Sequence, residues 1–197
     1  VTAIAHEAGG ARVELSDGRS LAAGAVLLAS GVVPNVELAA AAGLEVADGI
    51  VVDEMLLTSD PSISALGDCA SFPCVHGEGR VRLESVQNAN DQARSIARRL
   101  TGNPAPYTNL PWFWSHQGPA RLQIAGLSTG YEETVLRGDP SADKFSVFLY
   151  RKGRLIAVES VNAPADHLAA RRLLDKGITV PPDVAADPDA DLKALAQ

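Results

Sequence analysis

The chain has 197 residues, 46% of them hydrophobic and 21% charged, with a formal net charge of −7. That is an ordinary globular composition for one or two domains, and the acidic balance argues against general nucleic-acid binding. No run of about 20 apolar residues occurs, so no membrane-spanning helix is expected and a soluble cytoplasmic protein fits; Ala22 to Pro34 is the most apolar stretch, too short and carrying two glycines.

Val1 to His6 alternates weakly and predicts a strand. Gly9-Gly10 turns the chain, Arg12 to Leu15 predicts a second strand, and Ser16-Asp17-Gly18-Arg19 is a hairpin signal before the return at Ser20-Leu21. Ala25 to Ala29 is a continuous apolar run, as expected of a strand buried on both faces. Gly31 and Pro34 then punctuate the chain. Asn35 stands where it can cap a short helix from Val36 to Ala42, which Gly43 closes.

Ile50 to Val52 predicts a strand, and Ile63, Ala65 and Leu66 predict another that ends in Gly67-Asp68. Gly67 has no Cβ and lets a ligand or another backbone approach. Asp68 would then offer a carboxylate at a strand's carboxyl end, where open α/β sheets bind ligands and where it can accept hydrogen bonds from sugar hydroxyls. A plain Gly-Asp turn is the other reading of the same pair.

After a loop from Pro73 to Gly79, the segment Arg82 to Leu100 predicts a long helix. Val86, Ala89, Ala93, Ile96, Ala97 and Leu100 share one face, and Gly102 and Pro104 stop the helix. Its start, Glu84-Ser85-Val86-Gln87-Asn88, presents unpaired N–H groups and partial positive charge, although Ser85 could simply be its cap. Residues 80–99 hold five arginines against Glu84 and Asp91, a local net charge of +3.

From Pro104 the composition changes. Pro111-Trp112-Phe113-Trp114-Ser115 holds both tryptophans, suited to covering a planar ligand or to anchoring a core. Leu122 to Ala125, Glu132 to Leu136, Phe145 to Tyr150 and Arg154 to Val158 predict strands separated by Gly, Pro and Asp turns. A helix over 164–176 should bury Leu168, Leu173 and Leu174, giving an α+β unit with an antiparallel sheet. Pro181 to Gln197 reads as a loose tail with a helical turn near Leu192. Cys69 and Cys74 are too widely spaced, and have too few companion ligands, for a redox pair or metal site.

Gly-Asp-Cys-Ala at 67–70, Glu-Ser-Val-Gln-Asn-Ala at 84–89, Pro-Trp-Phe-Trp-Ser at 111–115 and Leu-Gln-Ile-Ala-Gly-Leu at 122–127 occur in that order. Arg137-Gly-Asp-Pro140 and Arg171-Arg-Leu-Leu174 add to them. Over nearly its whole length the chain resembles the FAD-dependent NAD(P)H–ferredoxin reductases of the putidaredoxin and rhodocoxin reductase type. The resemblance implies an α/β part followed by an α+β part. Residues 1–33 would end an NAD-binding domain, 34–103 would form the second half of an FAD-binding domain, and 104–197 a C-terminal domain of interface or dimerisation type.

It further implies FAD, with Gly67 and Asp68 at the ribityl chain. Glu84, Ser85 and Val86 would lie at the pyrimidine end of the ring, with the Val86 N–H facing it; Trp112 and Trp114 would border the nicotinamide pocket and the surface near the flavin. A helix start aimed at the ring would favour the negative charge of reduced flavin. NADH, in preference to NADPH, would be the hydride donor, and a [2Fe–2S] ferredoxin of an oxygenase or P450 system the acceptor. Arg94 and Arg98 would be docking contacts for that acidic partner, against the alternative of a merely solvated helix face. A homodimer is a further expectation.

No catalytic side chain and no metal site are expected, because the cofactor carries the redox chemistry. Where the family has Asp-Gln after its Pro-Trp-Phe-Trp-Ser, this chain has His116-Gln117, which alters the charge at the pocket mouth. The family's two Gly-x-Gly-x-x-Gly loops do not occur and the chain opens at Val1 within a strand. It is therefore expected to be the carboxyl-terminal part of a longer protein, inactive and weak in FAD binding by itself. The alternatives are a rubredoxin or nitrite reductase-type flavoprotein, an apoptosis-inducing-factor-like protein, and a non-catalytic binding or dimerisation module.

Overall fold

A computed structural model describes residues 1–195. The chain divides into two compact units, Val1–Val33 and a larger one from Pro34 onward. The first unit is an antiparallel meander of β1 (Ala3–Glu7), β2 (Gly10–Glu14) and β3 (Ser20–Ala23), with Ile4 opposite Val13 and Val13 opposite Leu21. The expected strand at Ala25 to Ala29 does not form, and Leu27 is 90% exposed. The meander stops at β3, and no strand among the described residues pairs with this run. An apolar run without ladder partners has no other place for its N–H and C=O groups than water.

The second unit has two hydrophobic cores. The unit opens with α1 (Glu37–Ala41), and around the first core lies a four-stranded sheet of β4 (Val46–Ala47), β5 (Gly49–Val51), β6 (Ala70–Pro73) and β7 (Arg80–Val81). The β5–β6 pair is parallel. Asn35 does not cap α1: the N-cap is Val36 and no side chain bonds there. Gly43 does close the helix, with φ of +75° and its N–H on the Ala40 carbonyl. Val52, Leu56, Ala65, Phe72, Ile96 and Tyr107 fill this core, Phe72 and Tyr107 meeting edge to face at 5.4 Å.

Residues 63–66 are not a strand. A single bridge joins Leu57 to Ser64, and the regular strand, β6, begins after Gly67-Asp68 rather than before it. Asp68 therefore stands in a short 3-10 turn, Gly67–Cys69, at the amino end of a strand. Sheet pairing is available only to β6, which lies between β5 and β7.

The long helix, α2 (Val86–Leu100), has Ser85 as its N-cap, accepting from the Asn88 N–H at 3.1 Å. The apolar face marked by its periodicity is not the buried one. Val86 and Leu100 are 64% and 75% exposed, Ala93 and Ala97 are exposed, and of that set only Ile96 is buried. The inward face carries Gln87, Asn88 and Gln92 as well as Ile96, because α2 packs against segments whose backbone groups need hydrogen-bond partners.

Around the second core an antiparallel sheet runs in the order β10-β11-β12-β9-β8. Its strands are β8 (Trp112–Gln117), β9 (Ala120–Gly126), β10 (Glu133–Asp139), β11 (Lys144–Arg151) and β12 (Arg154–Val161). On it lies α3 (Pro164–Asp175), burying Ala169, Ala170, Leu173 and Leu174 against Phe148, Tyr150 and Val158. Leu168 is exposed, contrary to expectation, because the sheet meets the 169/170/173/174 side of the helix.

The tail is not loose over the described residues. α4 (Pro182–Ala186) and α5 (Leu192–Leu195) bury Ala185 and Leu192 in the second core. The buried Arg137 guanidinium donates to the carbonyls of Asp187, Pro188 and Ala190 and pairs with Asp166 at 3.3 Å. No described helix is long and apolar enough to cross a membrane.

Candidate functional site

The inward carboxamides of α2 gather three separate segments. Gln87 Oε1 accepts from the Trp112 N–H at 3.2 Å and so ties β8 to the helix. Asn88 donates to the Leu83 carbonyl at 3.1 Å and accepts from the Tyr107 hydroxyl at 3.2 Å. Gln92 Oε1 accepts from the Gly67 N–H at 2.7 Å. Burial raises the Tyr107 hydroxyl above its usual range, with the Asp91 charge acting the same way, so it stays protonated and able to donate.

This gathering brings Gly67 and Asp68, the Glu84-Ser85-Val86 start, and Trp112 to one end of α2. Gly67 takes φ of +76°, which turns its N–H inward to Gln92 while the Asp68 side chain is exposed. The Asp68 carbonyl accepts from Arg82 at 3.3 Å; Arg82 also pairs with Asp48 at 3.0 Å and with Glu84. The Glu84 carboxylate is thus joined to the Asp68 turn through one guanidinium. Val86 lies bare at the first turn of the helix.

Trp112 and Trp114 lie side by side on the edge strand β8, ring centroids 5.5 Å apart and tilted by 31°. The Arg171 guanidinium sits 4.0 Å over the Trp112 ring. A cleft of about 530 Å³ opens beside them, lined by Gln87, Asp91, Leu110, Trp112, Arg171 and Asp175. Arg94 is on the exposed side of α2, paired with Asp91 at 2.9 Å, and Arg98 follows one turn later, also exposed. Both border a smaller cavity with Asp91 and Tyr107, away from the Gly67-Asp68 turn at the helix's inward face. His116 is exposed on β8.

Two buried polar neighbours of these residues escaped the sequence reading. His167 lies 5.8 Å from the Trp112 ring, 1% exposed, with no partner for either ring nitrogen among the described residues. Burial, then the charges of Arg171 and Arg121, push its pKa down to about 4. Its spacing to Ala170 and Leu174 on α3 was the available signal of burial. The second is Gln92, whose mid-helix polar side chain gave no signal at all. Both cysteines are free, and burial raises the Cys74 thiol.

A family model described as Pyridine nucleotide-disulphide oxidoreductase matches residues 1–93, and one described as Reductase C-terminal matches residues 112–196. Rhodocoxin reductase of Rhodococcus erythropolis is 51% identical over 183 residues, which is 93% of this chain and 43% of that protein. The crystal structure of the ferredoxin reductase for the CYP199A2 system from Rhodopseudomonas palustris superposes with a TM-score of 0.93 at 52% identity, over 98% of this chain and 48% of that one. The chain belongs to the ferredoxin reductase family. The reductase in the covalent putidaredoxin reductase–putidaredoxin complex is also similar, with a TM-score of 0.86 at 41% identity over 91% of this chain and 43% of that one. This ferredoxin reductase-family chain spans less than half the length of the curated relatives it matches. Its fold is the α/β part followed by the α+β part that the motifs imply.

Proposed function

We propose that this chain forms part of an oxidoreductase that passes electrons from NADH through FAD to a [2Fe–2S] ferredoxin serving an oxygenase or P450 system. The observation that carries this reading is the convergence of an exposed Asp68, the start of α2 and the Trp112–Trp114 pair on one hydrogen-bonded scaffold. It occurs in a chain about half identical to rhodocoxin reductase.

The donor set suits FAD. A carboxylate accepts from the hydroxyls of a ribityl chain and repels phosphate, so Asp68 selects the sugar-alcohol part of the cofactor. Gly67, at φ of +76° and close beside Ala89 of α2, lets the turn that carries Asp68 pack on the helix. The first turn of α2, with Ser85 as its cap, directs the Val86 N–H and the positive helix end at whatever lies before it, which favours a ring that gains negative charge on reduction. Glu84 holds Arg82 in place beneath the Asp68 turn. Trp112 and Trp114 supply an apolar wall that excludes water. Bound here, FAD would supply the conversion of a two-electron hydride donor into single-electron transfer.

Arg94 and Arg98 give α2 a cationic outer surface in an acidic chain, suited to steering an acidic ferredoxin. The test is reduction of a [2Fe–2S] ferredoxin by the protein that carries this chain, loaded with FAD, with NADH and NADPH compared. Ferredoxin reduction with NADH is the expected result. Reduction of rubredoxin but not ferredoxin would replace the partner, and no flavin uptake would overturn the reading.

A further inference from the structure

We propose that Gln92 is a positioning residue for the Asp68 carboxylate: it fixes the turn from which that carboxylate is presented at a set distance from the start of α2. This rests on the reading of Asp68 as a flavin-binding residue. Gln92 is 0% exposed, so it acts through another group and not by contact with a ligand. Its Oε1 accepts from the buried Gly67 N–H at 2.7 Å. That bond settles the orientation of the carboxamide, since the flipped form would turn an NH₂ group toward another donor. The Nε2 atom is left buried with no partner among the described residues.

An unpaired buried donor is costly, and an apolar side chain of similar size would avoid it. It would also leave the Gly67 N–H without an acceptor. The carboxamide thus keeps the turn tied at the expense of its own second group.

The consequence lies in the two peptide groups at either end of the Gly67-Asp68 pair. Gln92 holds the one before the pair, Leu66–Gly67, through the Gly67 N–H. Arg82, itself fixed by Asp48 and Glu84, holds the one after it, through the Asp68 carbonyl at 3.3 Å. Gly67, at φ of +76°, has the backbone freedom to let this turn flip if either tether is lost. With both in place the Asp68 side chain is directed to the surface. Gln92 also sits on the same helix as Val86, so the register of α2 carries the spacing between helix start and carboxylate.

The test uses the holoprotein that carries this chain, stripped of flavin and titrated with FAD by fluorescence quenching. Asp68→Ala, Gln92→Leu and the double variant are compared, with melting of the stripped proteins as a check on folding. Gln92→Leu should weaken FAD binding by on the order of tenfold, the loss of one buried hydrogen bond. In the Asp68→Ala background the same change should add less than about twofold, because there is no longer a carboxylate to place.

Independent, multiplicative losses would make Gln92 a merely structural residue and overturn the proposal, as would unchanged affinity in Gln92→Leu. If Asp68→Ala itself leaves FAD affinity unchanged, the flavin reading of Asp68 fails and this one with it. Gln92→Met, of equal length but with only a weak thioether acceptor, replaces Gln92→Leu in the same cycle should the branched side chain prevent folding.

Discussion

Acidification should destabilise this protein through His167. Its ring lies in the interior between Trp112 and α3, with Arg171 and Arg121 as the nearby charges and no partner on either nitrogen among the described residues. In the folded chain its pKa is pushed down to about 4, from an ordinary 6.5. Between these values the unfolded chain binds the proton and the folded chain refuses it. Stability therefore falls as pH drops below 6.5 and stops falling, for this residue, below about 4. The full difference is about 3 kcal/mol, of which about 2 kcal/mol has been lost at pH 5. Urea unfolding of the wild type and of His167→Phe near pH 7.5 and near pH 5 isolates this contribution. A phenyl ring fills the same space against Trp112 and cannot titrate. The wild type should lose about 2 kcal/mol more than the variant over that interval. An identical pH dependence in both proteins would refute the assignment of a buried, neutral His167.

Three further outcomes are expected. Arg137→Leu removes the guanidinium that pairs with Asp166 and holds the carbonyls of Asp187, Pro188 and Ala190. It should cost about 3–5 kcal/mol, as for a broken buried pair, and limited proteolysis should then cut within residues 181–195 first. Ser85→Ala removes the cap of α2 and should lower stability by about 1 kcal/mol in denaturant titration. Arg94→Glu reverses the charge of an exposed side chain and should slow ferredoxin reduction most at low salt, with a small dye acceptor unaffected. Equal slowing with both acceptors would remove Arg94 from the docking surface.

The site depends on polar contacts that are inside the protein, and this sets how it should respond to change. The exposed groups Asp68 and Val86 can be altered with little effect on packing. The buried carboxamides beneath them, Gln87, Asn88 and Gln92, each hold a backbone or hydroxyl group of another segment. Loss of any one leaves a buried donor or acceptor unpaired, and the segment it held is free to move.

Much of the fold was legible in the order of residues. The strands at Ala120–Gly126, Glu133–Asp139, Lys144–Arg151 and Arg154–Val161, and the helix at Pro164–Asp175, follow from alternation, helical spacing and the Gly, Pro and Asp turns between them. These signals are local, since each is set by neighbours a few residues away. The motifs at 67–70, 84–89 and 111–115 likewise identified the family from the sequence alone. What the sequence left undecided was which groups would become partners. Ala25 to Ala29 is apolar but unpaired, and Ile63 to Leu66 yields to β6 because the neighbouring strands meet the chain after Gly67. α2 turns its carboxamides inward and Val86 and Leu100 outward because the segments it meets, the Gly67 turn, Leu83 and the edge strand at Trp112, present backbone groups that need partners. His167 and Gln92 gained their importance only when Trp112 and Gly67 were brought against them. Periodicity is a property of adjacent residues; the surface that a face meets is decided in large part by residues 19 to 25 positions away, such as Gly67, Tyr107 and Trp112, and only the tertiary structure supplies it.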